Sequence, residues 1–363
     1  MIRALLTRQL RFAIFRCPRV CLIKSTIWSR RGHSSNLLPV KTMHNTPHIP
    51  DEKRKRVLII KPGYSETLDP DESGIVSLGD ILRTTVILHL FPSDQYHVTW
   101  LVDKRGIPLL KGNTHIHRLL AVNPFTPHLL LSEWFDIVVN FEKEPGICAV
   151  SDRIPAWRRF GFRLDPQSHA AVAYDHSDEA LSFTNDSTAK RKKAKSWSEI
   201  LYEMLGHKYT GQPYLLGYQP KSEIHYDVGM NHLIGKKFPL KRWPEAHWQQ
   251  LNEMLSQRYS VCWQQGDNDI NDYIEWIASC RVLVTNDSLG LHIALALGKP
   301  VVALFGPTIA TEVAGESLIK IAPPLDWDCI PCMETVCHRG DPCIAHITVD
   351  SVAKAVAGLL EKS

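Results

Sequence analysis

No stretch of the 363-residue sequence offers the roughly 20 consecutive apolar residues that a membrane-crossing helix needs. The most apolar part of the N-terminal region, residues 4–23, is broken by Arg8, Arg11, Arg16 and Arg19. Cysteine is sparse, nine in the whole chain, which is too few for a disulfide-built scaffold of this length. No internal repeat is visible. Acid is missing altogether from residues 1–50, which hold nine basic residues. The other 313 residues carry 33 Lys and Arg against 38 Asp and Glu, so the formal +4 of the chain arises in the leader and the body is net −5. An acidic body without a basic stripe argues against nucleic-acid binding.

The leader is rich in Arg, Ser and Leu, the composition of an organellar transit peptide, but its Arg residues do not line one helical face. A segment at 1–55 with no folded role, with Met43 as an alternative start, is the first expectation; a targeting peptide is the second. The want of an uninterrupted apolar centre followed by a small-residue cleavage site argues against a secretory signal. After Asp51, short β-rich runs alternate with helix-period segments. Strands are expected at 57–61, 98–102, 136–141, 171–174, 227–231, 260–264, 282–285 and 301–305. Helices are expected at 78–90, 197–206, 244–258, 270–280, 289–297 and 350–361. This alternation predicts an α/β protein with mostly parallel sheets. The aperiodic, Gly-, Pro- and Tyr-rich stretch 206–223 suggests a hinge between an N-terminal unit, 56–215, and a C-terminal unit, 216–363. Such sheets bind ligands at the carboxyl ends of their strands, so the expected site is a cleft between the units. The basic run between Lys190 and Lys195 reads either as a solvated loop or as a contact for an anionic acceptor or membrane surface.

The strongest chemical signal is TNDSLGLHIALALGKPVVALFGPT, residues 285–308. It reads as strand end, tight turn, helix, Gly-Lys-Pro stop, strand and Gly-Pro-Thr turn. Asp287 and Ser288 fall at the helix N-terminus, either as caps or beside the free N–H groups that favour a diphosphate. Gly290 would let backbone approach a ligand. His292 falls one turn into the helix, as a cleft residue or as a hydrogen-bonded core histidine.

This segment resembles the donor-site signature of the family 9 glycosyltransferases, the heptosyltransferases of lipopolysaccharide assembly and their relatives. VSLGDILRTT (76–85) is similar to the family's first strand-to-helix turn, FPLKRWPEAHWQQL (238–251) to its Lys-x-Trp-Pro segment, and CIPCMETVCHRGDPCIAHIT (329–348) to a Cys-rich tail that many members carry. The resemblance covers about residues 56–360 and implies a GT-B fold, two Rossmann-like doubly wound domains facing across a cleft, with the N-terminal one taking the acceptor and the C-terminal one the nucleotide-sugar. It implies an inverting transferase, without a catalytic metal, that moves a sugar such as heptose from ADP-heptose to a saccharide or lipopolysaccharide-type acceptor. It implies a cytoplasmic protein, at most peripheral to the inner face of a bacterial inner membrane. Asp80 matches the family's proposed general base; Lys241 matches a lysine near the donor phosphates; Asp287, Ser288, Gly290, His292 and Thr308 fall at donor-contact positions. Two departures stand out. KPGYSETLDPDESGIV (61–76) separates the first strand from the SLGD turn, bringing Asp69 and Asp71 to the acceptor side. The donor motif reads Asp-Ser-Leu-Gly-x-His where many members read Asp-(Ser/Thr)-Gly-x-x-His. Both point to a divergent subgroup.

Cys329, Cys332, Cys337 and Cys343 form C-x2-C-x4-C-x5-C, the ligand count of an all-cysteine site for zinc or iron. Distant relatives, the autotransporter heptosyltransferases, carry a structural iron on four cysteines with different spacing. Reduced thiols and disulfides are the other readings. Trp263 to Asp267 ends a strand and suits either a nucleotide base or a plain turn. The rival functions are a nucleotide-sugar epimerase or hydrolase, and a non-catalytic or regulatory GT-B protein stabilised by metal.

Overall fold

The computed structural model describes residues 53–64, 76–185, 191, 195–266 and 269–362. The leader with Met43, most of the inserted loop with Asp69 and Asp71, most of the 190–195 basic run, and Asp267 lie outside the described residues.

The first sheet draws on β1 (Lys55–Ile60), β2 (Tyr96–Val102), β3 (Ile116–Ala121), β4 (Phe135–Asn140), β5 (Ala156–Leu164) and β6 (Ala171–Ala173), in the order β3-β2-β1-β4-β5-β6. Only β6 runs antiparallel, against β5. The apolar run VLII is wholly buried because β1 is central, with Val57 opposite both Val98 and Ile137. The second sheet draws on β7 (Tyr226–Asn231), β8 (Val261–Trp263), β9 (Cys280–Asn286), β10 (Val301–Leu304) and β11 (Leu318–Ile321), in the order β11-β10-β9-β7-β8, all parallel. In each sheet the strand order reverses beside its first strand, between β1 and β4 and between β7 and β9. Ligands of open α/β sheets gather at the carboxyl ends of such switch points.

The helices used below are α1 (Leu78–Thr84), α2 (Trp197–Met204), α3 (Glu245–Ser256), α4 (Ile270–Ala278), α5 (Leu289–Ala296) and α6 (Val349–Leu360). Helix α3 buries Trp248, Leu251 and Leu255 on one stripe, as its period predicts. Pro244 sits at its N-cap rather than inside its first turn. The single helix expected at 78–90 changes at Thr85 into a 3-10 turn that runs to Leu90. The hydroxyls of Thr84 and Thr85 donate back to the carbonyls of Asp80 (2.7 Å) and Leu82 (2.6 Å), the kind of local bond that competes with a regular helix. Strands β3, β5 and β11 were not expected. β3 is half-buried throughout, β5 carries Arg158, Arg159 and Arg163, and β11 has only four residues, so none shows a clear apolar run.

The core does not divide at the hinge. One apolar cluster runs from Val57, Ile81 and Leu82 of the N-terminal half into Ile274, Leu291 and Ile293 of the C-terminal half. A second fills the outer face of the second sheet, with Trp243, Trp248, Val352 and Val356.

Gly161 in β5 has φ +90°, and a Cβ there would collide with the Asn140 carbonyl of β4. Gly161→Ala is expected to cost about 1–3 kcal/mol from backbone strain alone, read as a lower denaturation midpoint in urea. An unchanged midpoint would show that β5 can shift away from β4 freely.

Candidate active site

β1 delivers Lys61, fully buried, to the end of the first sheet, where its Nζ lies 3.3 Å from Glu142 Oε1. Buried charge persists only when paired and hydrogen-bonded. The same carboxylate accepts from the Gly63 amide at 2.5 Å and the Tyr64 amide at 3.2 Å, pinning the entrance of the inserted loop. Where the chain returns, the Ser77 amide donates to the Gly63 carbonyl at 2.8 Å, and α1 starts one residue later. Asp80 therefore stands in the first turn of α1, at the carboxyl edge of the sheet. It does not cap the helix. Ser77 is the N-cap, and Asp80 Oδ1 pairs instead with Arg83 Nη2 at 2.7 Å.

On the other side, Asn286 at the end of β9 works as a hub. It accepts from the Trp243 amide (3.2 Å) and donates to the His232 carbonyl (3.0 Å). Trp243 is anchored further by its indole N–H, which donates to the Ile347 carbonyl at 3.0 Å, and by edge-on packing against Trp248. The Lys-x-Trp-Pro segment is thus fastened to β9, and Lys241 comes to lie 2.8 Å from Asp287 Oδ2. Ser288 occupies the N-cap of α5, but its hydroxyl does not cap the helix. It accepts from the Asn231 side-chain amide at 3.1 Å, and Asn231 in turn accepts from the Tyr273 hydroxyl at 2.7 Å.

These segments enclose a cavity of about 480 Å³. Asp80 from the first sheet and Lys241, Asp287, Ser288, His292 and Thr308 from the second all line it. Gly290 does not. A Cβ there would run into the Asn231 amide and the Tyr273 hydroxyl, so this glycine serves close packing behind the site rather than approach of a ligand. Gln264 and Gly266 also line the cavity, which brings the end of β8 to the site. The lining includes residues not singled out from the sequence: Arg83, Lys237, Glu312, Tyr273 and Met333. Arg83 had one readable hint, its i+3 spacing from Asp80. The others come from loops or from elements far away in sequence.

The charges balance, with Arg83, Lys237 and Lys241 facing Asp80, Asp287 and Glu312. Burial alone would raise the Asp80 carboxyl; Arg83 first, then Lys61 and Lys237, with a hydrogen bond from Ser77, outweigh it and hold the group well below the ordinary carboxylate range. Burial likewise opposes ionisation of Asp287, and Lys241 and His292 more than offset it, so it too stays low. His292 is pushed down to about 4, chiefly by burial and secondarily by Arg83. It is therefore neutral at pH 7, its ring edge-on to Tyr214, and its Nδ1 is buried with no hydrogen-bond partner. The site so assembled offers a carboxylate on one wall, an anchored ammonium and a helix N-terminus on the other, and a neutral imidazole between them.

The four C-terminal cysteines line one small cavity of about 20 Å³ with Trp327 and Arg339. As they stand they do not form a coordination site: among the described residues no group of three or more His, Cys, Asp or Glu is arranged to hold a metal ion. No two of them are disulfide-bonded. The described members of the basic run bind within the protein, Arg191 to the Asp328 carbonyl and Lys195 to Glu179 and Glu203. No helix among the described residues is long and apolar enough to cross a membrane.

Residues 265–340 match the family model described as glycosyltransferase family 9 (heptosyltransferase). The chain is 37% identical to lipooligosaccharide heptosyltransferase 2 of Haemophilus ducreyi over 19% of its own length and 29% of that protein's. It thus spans less than a third of the first curated relatives it matches. Its fold is similar to a family 9 glycosyl transferase of Veillonella parvula, with a TM-score of 0.59 at 17% identity over 85% of this chain and 98% of that one. It is similar also to the ADP-heptose LPS heptosyltransferase II of E. coli, with a TM-score of 0.57 at 18% identity over 85% and 99%. The architecture is GT-B, two Rossmann-like sheets meeting at their carboxyl edges.

The His292 imidazole is expected to keep its neutral NMR signature down to about pH 5. Because its folded pKa lies below the unfolded value, the native state binds fewer protons between about pH 6.5 and 4, so stability is held above that window and lost on acidification through it. A titration midpoint at the ordinary histidine value would overturn this reading.

Proposed function

We propose that this chain, a heptosyltransferase-like protein of glycosyltransferase family 9, is an inverting glycosyltransferase that moves a sugar, heptose from ADP-heptose, to a saccharide or lipopolysaccharide-type acceptor. The observation that carries the proposal is the convergence of Asp80 with Lys241, Asp287, Ser288 and His292 on one cavity between two sheets. What supports the donor is the resemblance to ADP-heptose enzymes together with a site chemically suited to a diphosphate. On this reading residues 56–215 form the acceptor side and 216–363 the donor side.

In the proposed reaction the acceptor hydroxyl oxygen attacks the anomeric carbon of the donor sugar from the face opposite the diphosphate. The carbon–oxygen bond to the diphosphate breaks, and its electron pair leaves with the nucleotide. The hydroxyl proton passes to the Asp80 carboxylate, the base on the acceptor wall. Lys241 and the N–H groups at the start of α5 offset the charge that grows on the leaving diphosphate. Asp287 holds Lys241 in place before the donor arrives. Neutral His292 offers a hydrogen-bonding nitrogen without adding charge.

Asp80→Asn is expected to lower turnover of ADP-heptose with a lipopolysaccharide-core acceptor by about 100-fold or more, with donor affinity by calorimetry little changed. Full activity in that variant would sink the assignment of the base. Lys241→Met is expected to weaken ADP-heptose binding by about tenfold or more. Release of ADP without any acceptor, at the full rate, would favour a hydrolase instead.

For the four cysteines we propose a structural zinc or iron with no part in the chemistry, since four thiolates leave no open position. Elemental analysis of purified protein is expected to find about one metal per chain, and a chelator is expected to lower its melting temperature. Metal-free protein of undiminished stability would leave the thiols merely reduced.

A further inference from the structure

Arg83 lies inside the VSLGDILRTT segment, where no role is assigned to it, and lines the same cavity. Its guanidinium is nearly buried and reaches Asp80, Glu312 and Trp197. Nη2 donates to Asp80 on its own helix at 2.7 Å. Nη1 donates across the cleft to Glu312 Oε2 at 3.4 Å, and the guanidinium lies 5.1 Å over the Trp197 ring at the start of α2. Glu312 belongs to the donor half, in the short turn that follows β10. The carboxylate on the acceptor wall is therefore joined to the donor half through one planar cation.

We propose that Arg83 is a positioning residue that aims the Asp80 carboxylate into the cleft and ties that aim to the docked arrangement of the two halves through Glu312. An arginine suits this task because its fork of donors can hold two carboxylates in fixed directions while its flat face stacks on an indole. The inference rests on the reading of Asp80 as the base. Groups facing Asp80 are Arg83 and Ser77 on α1, Lys61 beyond β1, Lys237 in the loop after β7, and His292 on α5. Arg83 pairs with Asp80 at 2.7 Å and also reaches the opposite half through Glu312.

The test compares Arg83→Met, which keeps an unbranched side chain of similar length without the charge, with Arg83→Lys, Glu312→Gln and the Arg83→Met/Glu312→Gln pair in the full chain. The Asp80 carboxyl, followed by carbon-13 NMR and assigned by its loss in Asp80→Asn, is expected to titrate about one pH unit or more higher in Arg83→Met. With ADP-heptose and a lipopolysaccharide-core acceptor, kcat is expected to fall about tenfold while the donor KM stays. The acid limb of the pH profile is expected to move up with the carboxyl. Arg83→Lys is expected to restore the titration and part of the rate. Glu312→Gln is expected to lower kcat less, and the double variant no further than Arg83→Met, because both act through one contact. An Asp80 titration unmoved in Arg83→Met, or additive losses in the double variant, would overturn the inference. An active Asp80→Asn variant would instead overturn the base assignment and leave the NMR test of the Arg83 pair standing.

Discussion

Helix α1 and helix α5 touch at Gly79, and the site depends on that contact. A Cβ on Gly79 would sit 2.9 Å from Cδ2 of His292. A side chain at residue 79 would press the first turn of α1 away from α5. Because they meet, the apolar cluster beneath Ile81 and Leu82 continues into Leu291 and Ile293 without a solvent gap. Interiors packed this way behave as rigid bodies rather than as deformable ones. Asp80, one residue beyond the contact, and His292, within it, therefore belong to one mechanical unit. The transfer proposed above would join a base on one half to a leaving group on the other, and such a step needs that relation held to a fraction of an ångström.

On this rigid seam the electrostatics are arranged in closed pairs. Lys241 is matched by Asp287, and Arg83 is divided between Asp80 and Glu312. An apo cavity with three cations and no carboxylates would repel itself and draw any small anion. With three of each it is near neutral. The two cations are chemically suited to different parts. The ammonium of Lys241 is a compact charge on a flexible stem that can turn from one anion to another. The guanidinium of Arg83 is held by geometry on three sides and cannot turn without giving up its stacking on Trp197.

Much of this was legible in the residues. The apolar runs of β1, β2, β4, β7, β9 and β10 mark central strands, and their burial on both faces is why they read clearly. The Asp-Ser-Leu-Gly-x-His turn and the Lys-x-Trp-Pro segment marked the cavity wall, because each couples a polar group to a strand end. What stayed hidden was of two kinds. Strands β3, at the sheet edge, and β5, next to the last strand, carry basic residues that blur any period. Glu312, Lys237 and Met333 reach the cavity from loops, where no periodicity ties a side chain to a face. Gly290 was read as a concession to a ligand, yet it makes room for Asn231 and Tyr273. The motif marked the right place but not which neighbour the missing side chain served.

The buried Lys61–Glu142 pair follows the same logic. As a source of stability such a pair is weak, since desolvation of two charges consumes most of their attraction. Its geometry is what distinguishes it. One Glu142 oxygen holds Lys61 and the two amides at the mouth of the inserted loop, and Gly63 then takes the Ser77 amide at the start of α1. Residues 61–77 separate β1 from α1 in the sequence. The pair closes the neck of the insertion so that the strand end and the helix start stay together. Asp80 thus keeps its place relative to β1 despite a loop that separates them in sequence.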